Sequence, residues 1–103
     1  MATITIPGKT RKSITVELVG TEYKVRPPKT VVAIFLSQAL KDAGEDSEKL
    51  IDGLAKWCHV LFGKETGAEV VKRLKSPADD LDIPELTDLI SAVMKEAGEN
   101  PPT

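Results

Sequence analysis

One cysteine, Cys58, and one histidine, His59, stand in a chain of 103 residues. A lone cysteine rules out an intramolecular disulfide, so the fold is not a disulfide scaffold, and such usage suits a reducing compartment. One thiol and one imidazole do not make a tetrahedral zinc site. The two are also neighbours in sequence. On a helix adjacent side chains project about 100° apart, so they do not converge on one reacting atom. Cys58 falls on an apolar stripe and reads as a small core hydrophobe, and His59 reads as a surface residue. Aromatics are nearly as scarce, being Tyr23, Phe35, Trp57 and Phe62 alone, so the core must be mostly aliphatic. No apolar run reaches the roughly 20 residues that cross a bilayer. The longest, Val31 to Leu40, is long enough for about three helical turns. The first residues lack the basic, apolar and small-residue pattern of a secretory signal. Internal repeats and low-complexity segments are absent too. A soluble cytoplasmic protein of one domain is expected.

Strong charge of either sign is missing as well. The formal net charge is −2, which offers no general attraction to nucleic acid or anionic membrane. The distribution is uneven, however. Lys9, Arg11, Lys12, Lys24, Arg26 and Lys29 crowd the first 30 residues, while from Ser76 onward Lys95 stands alone against Asp79, Asp80, Asp82, Glu85, Asp88, Glu96 and Glu99. A basic front and an acidic back could pair within one molecule or head-to-tail between copies; two separately solvated surfaces are the plainer reading.

Candidate chemistry is thin. Asp79, Asp80 and Asp82 lack the central glycine and closing glutamate of a calcium loop, and Asp82 reads as a helix cap. Pro7-Gly8-Lys9-Thr10 has Thr3 where a phosphate-binding loop needs its first glycine. Lys9, Arg11 and Lys12 could touch phosphates, but no aromatic interleaves them and no helix-turn-helix accompanies them. With no catalytic constellation, no metal cluster and no cofactor signature, a non-enzymatic protein is expected.

What is present is a clear pattern of elements. Thr3-Ile4-Thr5-Ile6 alternates and is stopped by Pro7-Gly8, and residues 1–12 read as a short edge strand or a flexible basic arm. Ser13 to Arg26 alternates twice around Gly20-Thr21 and predicts a β-hairpin. A type II′ turn at that dipeptide pairs Val16 with Val25, Leu18 with Tyr23, Val19 with Glu22 and Glu17 with Lys24. Helical spacing then predicts helices over about 29–43, 47–62, 67–75 and 83–97. Asp46 or Ser47 should cap the second. Thr66–Glu69 and Asp82–Glu85 have capping-box spacing for the third and fourth. The third should carry Val70, Val71 and Leu74 inward and Lys72, Arg73 and Lys75 outward. Residues 99–103 read as a frayed tail. The expected fold is α+β, mainly α: an N-terminal β-hairpin packed on a bundle of about four helices, with the first helix sandwiched between the hairpin and the other helices.

Phe35, Leu36, Trp57, Leu61 and Phe62 are more large apolar groups than a small helical core readily hides. Core packing accounts for any one of them. As a set they are the candidate partner-binding residues, a groove for an amphipathic helix.

The arrangement resembles the tail assembly chaperones of long-tailed bacteriophages, especially those of actinobacterial hosts. Three stretches carry the likeness, which spans roughly residues 13–98. A strand pair leads into Arg26-Pro27-Pro28-Lys29-Thr30 and an apolar helix. A helix ends in the apolar cluster Trp57 to Phe62. Arg73-Leu74 precedes Pro77, Asp79, Asp80, Leu81 and Asp82 and then Leu86 and Leu89, which looks like the family's arginine-leucine pair, proline-aspartate linker and last amphipathic helix. Ser76-Pro77-Ala78 stands where related sequences often have another acidic residue. The resemblance implies a short, non-frameshifted chaperone that binds the tape measure protein and keeps it soluble during tail assembly. It also implies, as further partners, a frameshift-extended form of itself and the tail tube protein, with a homo-oligomer as one possible state. The site of action would be the host cytoplasm, and the mature virion would lack it. Two other functions fit the same sequence: a structural head–tail connector or tail protein, and a small nucleic-acid-binding regulator working through Lys9, Arg11 and Lys12.

Overall fold

The computed structural model describes residues 2–8 and 12–98. A two-stranded antiparallel hairpin, β1 (Ile14–Leu18) and β2 (Thr21–Val25), is followed by four helices: α1 (Thr30–Ala43), α2 (Ser47–Phe62), α3 (Lys64–Lys75) and α4 (Ile83–Gly98). The fold is α+β and mainly α, as the hydrophobic periodicity predicts. The basic segment at residues 9–11 and the tail at 99–103 lie outside the described residues.

The hairpin forms where alternation places it, but its register differs. Ile14 pairs with Val25, Thr15 with Lys24, Val16 with Tyr23, Glu17 with Glu22 and Leu18 with Thr21. The loop is therefore Val19-Gly20, not Gly20-Thr21. Both loop residues have positive φ, 44° at Val19 and 84° at Gly20, the signature of a type I′ turn, whose twist matches that of the flanking strands. The expected Glu17–Lys24 pair across the strands is lost. The face assignment survives, because the strand has slipped by an even number of residues. Leu18 and Val25 are buried, and Ile14, Val16 and Tyr23 pack beside them on the core.

The helices are punctuated by their caps. Asp46 accepts a hydrogen bond from the Lys49 amide at 3.2 Å and starts α2. Gly44 and Gly63, both at positive φ, end α1 and α2, as favoured at the C-terminal end of a helix. Gly63 also opens α3, so that helix begins at Lys64, and Thr66 and Gly67 lie inside it instead of capping it. At α4, Asp82 accepts from the Ile83 amide at 2.7 Å, and its carbonyl accepts from Leu86.

The organising element is α2. Its neighbours are α1, α3, α4 and β2, while β1 rests on α4. Leu54, Trp57, Cys58, Leu61 and Phe62 of α2 meet Leu18, Val25, Val70, Leu81, Leu86, Leu89, Ile90 and Val93 in one core. The Arg26 amide donates to the Leu61 carbonyl at 3.0 Å, fixing the exit of the hairpin to the end of α2. Tyr23 stands edge-on to Phe62, ring centres 5.2 Å apart. The expectation that α1 is sandwiched between hairpin and helices is not met. Its substantial packing is against α2 alone, through Ala33, Leu36 and Ala43.

Candidate functional site

One-sided packing divides α1 by face. At about 100° per residue, Val31, Ile34 and Phe35 fall on one side, and Ala33, Leu36 and Leu40 fall on the other. The second set meets α2. The first faces outward: Val31 is 48% exposed, Ile34 60% and Phe35 68%. Gln38 and Asp42 continue the same outer line in polar form, the Gln38 amide donating to Asp42 Oδ1 at 2.9 Å. So the apolar stripe is confined to the first turns of α1. The antiparallel run of α1 and α2 sets Leu40 beside Gly53, which brings Val60, also exposed, level with those first turns. The apolar patch is the three-residue stripe Val31, Ile34 and Phe35 on the side of α1 away from α2, and Val60 is a separate exposed residue on α2. Full burial of Val31, Ile34 and Phe35 by a partner would return, for each, roughly half of the 1.5–3 kcal/mol gained by a side chain that starts fully exposed.

The five candidate residues from the sequence thus separate. Phe35 stands on the outer stripe. Leu36, Trp57, Leu61 and Phe62 are buried in the core of the single chain, where they have no free area to offer. Val31 and Ile34 belong to the stripe and were not among the five. A helical wheel of α1 contains the information, but choosing its outer side requires knowing that α2 is the only large neighbour.

Two interior features bear on chemistry. Cys58 is fully buried, and burial pushes its thiol pKa up to about 12, so the thiolate that nucleophilic attack requires is suppressed at neutral pH. The indole N–H of Trp57 is buried with no hydrogen-bond partner among the described residues. Such an orphaned donor costs about 1–3 kcal/mol. Among the described residues, His, Cys, Asp and Glu side chains do not gather in threes as metal ligands would, and no helix is long and apolar enough to cross a membrane.

A polar cluster that the periodicity misplaced is centred on Arg73. Expected to point outward on α3, it turns in over the hairpin. Its Nε and Nη2 donate to the two Asp79 carboxylate oxygens at 2.8 and 3.1 Å, Nη1 donates to the Tyr23 hydroxyl at 2.9 Å and the Leu18 carbonyl at 3.1 Å, and Nη2 also donates to the Val19 carbonyl at 2.9 Å. Asp79 Oδ1 additionally accepts from the Leu81 amide at 3.0 Å. These bonds, the one from Arg73 foremost, hold the Asp79 carboxyl below its ordinary pKa. The planar guanidinium thereby joins three elements: the β-turn, the end of α3 and the loop before α4. The sequence signal for it was the Arg73–Asp79 spacing within the arginine-leucine and proline-aspartate stretch. Comparison of the chain with protein-family models, with curated proteins and with solved structures finds no match.

Proposed function

We propose that this protein is a tail assembly chaperone of a long-tailed bacteriophage, in the short form. It binds apolar helical segments of the tape measure protein in the host cytoplasm and yields them to tail tube subunits, without entering the virion and without catalysing a reaction. The observation that supports this reading is the outer stripe of α1. Val31, Ile34 and Phe35 present an apolar helix face that the chain's own core does not use, at the i, i+3, i+4 spacing by which helices dock against one another. A chaperone needs such a surface to be limited in size, because its client must later be released. The sequence resemblance supplies the identity of the client.

The deciding experiment is co-expression with the tape measure protein encoded by the same phage. The wild-type chain should co-purify with a soluble tape measure. Ile34→Asp and Phe35→Asp should abolish both, with the far-UV circular dichroism and melting of the isolated chain retained. A tape measure that stays insoluble and unbound beside the wild-type chain rejects the proposal. So does recovery of this protein from purified virions by mass spectrometry, which would favour a structural tail component.

A further inference from the structure

A groove of about 620 Å³ runs along β1 and α4, bordered by every β1 residue from Ile14 to Leu18, by Val19 of the turn and, across from them, by Leu89, Ala92 and Val93. Successive strand side chains point to opposite faces. All of them border one groove because it follows the edge of the strand. That edge carries free backbone groups. The two-residue loop makes Leu18 and Thr21 a hydrogen-bonded pair, and alternation gives the same status to Val16–Tyr23 and Ile14–Val25. Thr15 and Glu17 therefore turn their N–H and C=O groups away from β2, and no other hydrogen bond among the described residues engages them. The rim of the groove is acidic: Glu17 on the strand, and Glu85, Asp88 and Glu96 on the helix.

The same chain carries a segment with the complementary properties. Thr3-Ile4-Thr5-Ile6 alternates with strand period and is made of β-prone residues. Ile4 and Ile6 are each 86% exposed. The sequence that follows contains Lys9, Arg11 and Lys12. We infer that the N-terminal arm of a second copy adds as a strand to the free edge of β1, lying in the groove that α4 borders. Ile4 and Ile6, which point to one face, pack beside the half-buried Ile14 and Val16 of β1 and the exposed Ala92, and the charge of the sequence that follows them is opposite to that of the rim. Four extended residues span about 14 Å, within the roughly 17 Å of β1. A second copy is the occupant because one chain leaves both halves unmatched: its arm is exposed and, among the described residues, its edge is unpaired, although they belong to the same molecule. The inference is independent of the tape measure reading.

Light scattering and sedimentation of the full chain, with three changes, test it. Thr15→Pro removes an outward N–H that the hairpin does not use, a substitution an edge position tolerates. Ile4→Asp with Ile6→Asp spoils the arm. Glu85→Lys with Asp88→Lys reverses part of the rim and serves if the proline variant fails to fold. The full chain should self-associate, with the association weakened at least about tenfold by each change and weakened by added salt. A labelled peptide of residues 2–12 should bind a chain lacking residues 2–8, whose isoleucines lie outside the core, and should not bind the same chain carrying Thr15→Pro. A full chain that stays monomeric overturns the inference. If the arm-deleted chain nonetheless takes up the peptide, the arm closes on its own groove. Self-association that survives the changes assigns the contact to another face and overturns it equally.

Discussion

At Gly67 the absence of a side chain is what lets α2 and α3 lie together. A Cβ there would stand 2.8 Å from the Cys58 carbonyl oxygen and 3.0 Å from the His59 Cα. Both are backbone atoms, which cannot swing aside. At Gly53 an added Cβ would come within 2.8 Å of Leu40 Cδ2, the movable end of a side chain. Helix propensity favours alanine over glycine at both sites by about 1 kcal/mol. The two substitutions should nevertheless part company. Gly67→Ala should destabilise by about 1–3 kcal/mol through overpacking, and Gly53→Ala should stay within about 1 kcal/mol of neutral. Urea unfolding of both reads the difference, and a neutral Gly67→Ala would mean that the helices do not approach so closely. Gly67 also shows a limit of local patterns. Thr66–Glu69 matches a capping box in spacing, yet Gly63 had already turned the chain, so the helix was under way before the box began. Val19 makes the same point. A β-branched residue at positive φ costs roughly 1–2 kcal/mol, so residue preference steers toward the wrong loop dipeptide. Its carbonyl and that of Leu18 are held by Arg73, a contact from a distant part of the chain.

At the scale of elements, Arg73 and Asp79 fasten the hairpin to the α3–α4 connection. The sign of the pH effect follows from Asp79, whose native pKa lies below its unfolded one. The stabilisation is fully present above the ordinary aspartate range, near 3.9. It is lost as pH falls through the lower native value, because the unfolded chain takes up the proton first. Thermal melts of wild type and Asp79→Asn should therefore differ at neutral pH and converge on acidification. Melting curves that keep a constant separation down to acidic pH would show that the carboxylate charge is not what fastens the turn. Elements with strong periodicity were legible in advance: α2 begins at Asp46, and Leu86, Leu89, Ile90 and Val93 form the buried stripe of α4. The hairpin register was not. Shifting one strand by two residues leaves the same side chains on the core, so alternation alone cannot choose between the registers.

For the molecule as a whole, α2 is the axle, and Cys58 sits on its buried face. A thiol so placed reports global unfolding. In native conditions Cys58 should resist alkylation by iodoacetamide at neutral pH. Its labelling rate should rise with denaturant in step with the loss of helical circular dichroism. Rapid labelling of the folded chain would reveal an opening near α2 and α3 that costs less than unfolding. The candidate site was legible only in part, and for a reason that acts at this scale. Phe35 and Leu36 are adjacent and similarly apolar, yet one faces water and the other the core. Which is which depends on where α2 lies, and no local property of the two residues encodes that.

The two sides of α1 answer to different demands. Ala33, Leu36 and Ala43 are constrained by the shape of α2, so their replacement is judged by folding. Val31, Ile34 and Phe35 are released from that judgement. Across generations, drift on that outer side would replace them with the polar residues that suit a solvated helix, unless something outside the chain rewards keeping them. Retention of the three through sequence history would therefore be the record of a partner, written on a surface the fold itself leaves blank.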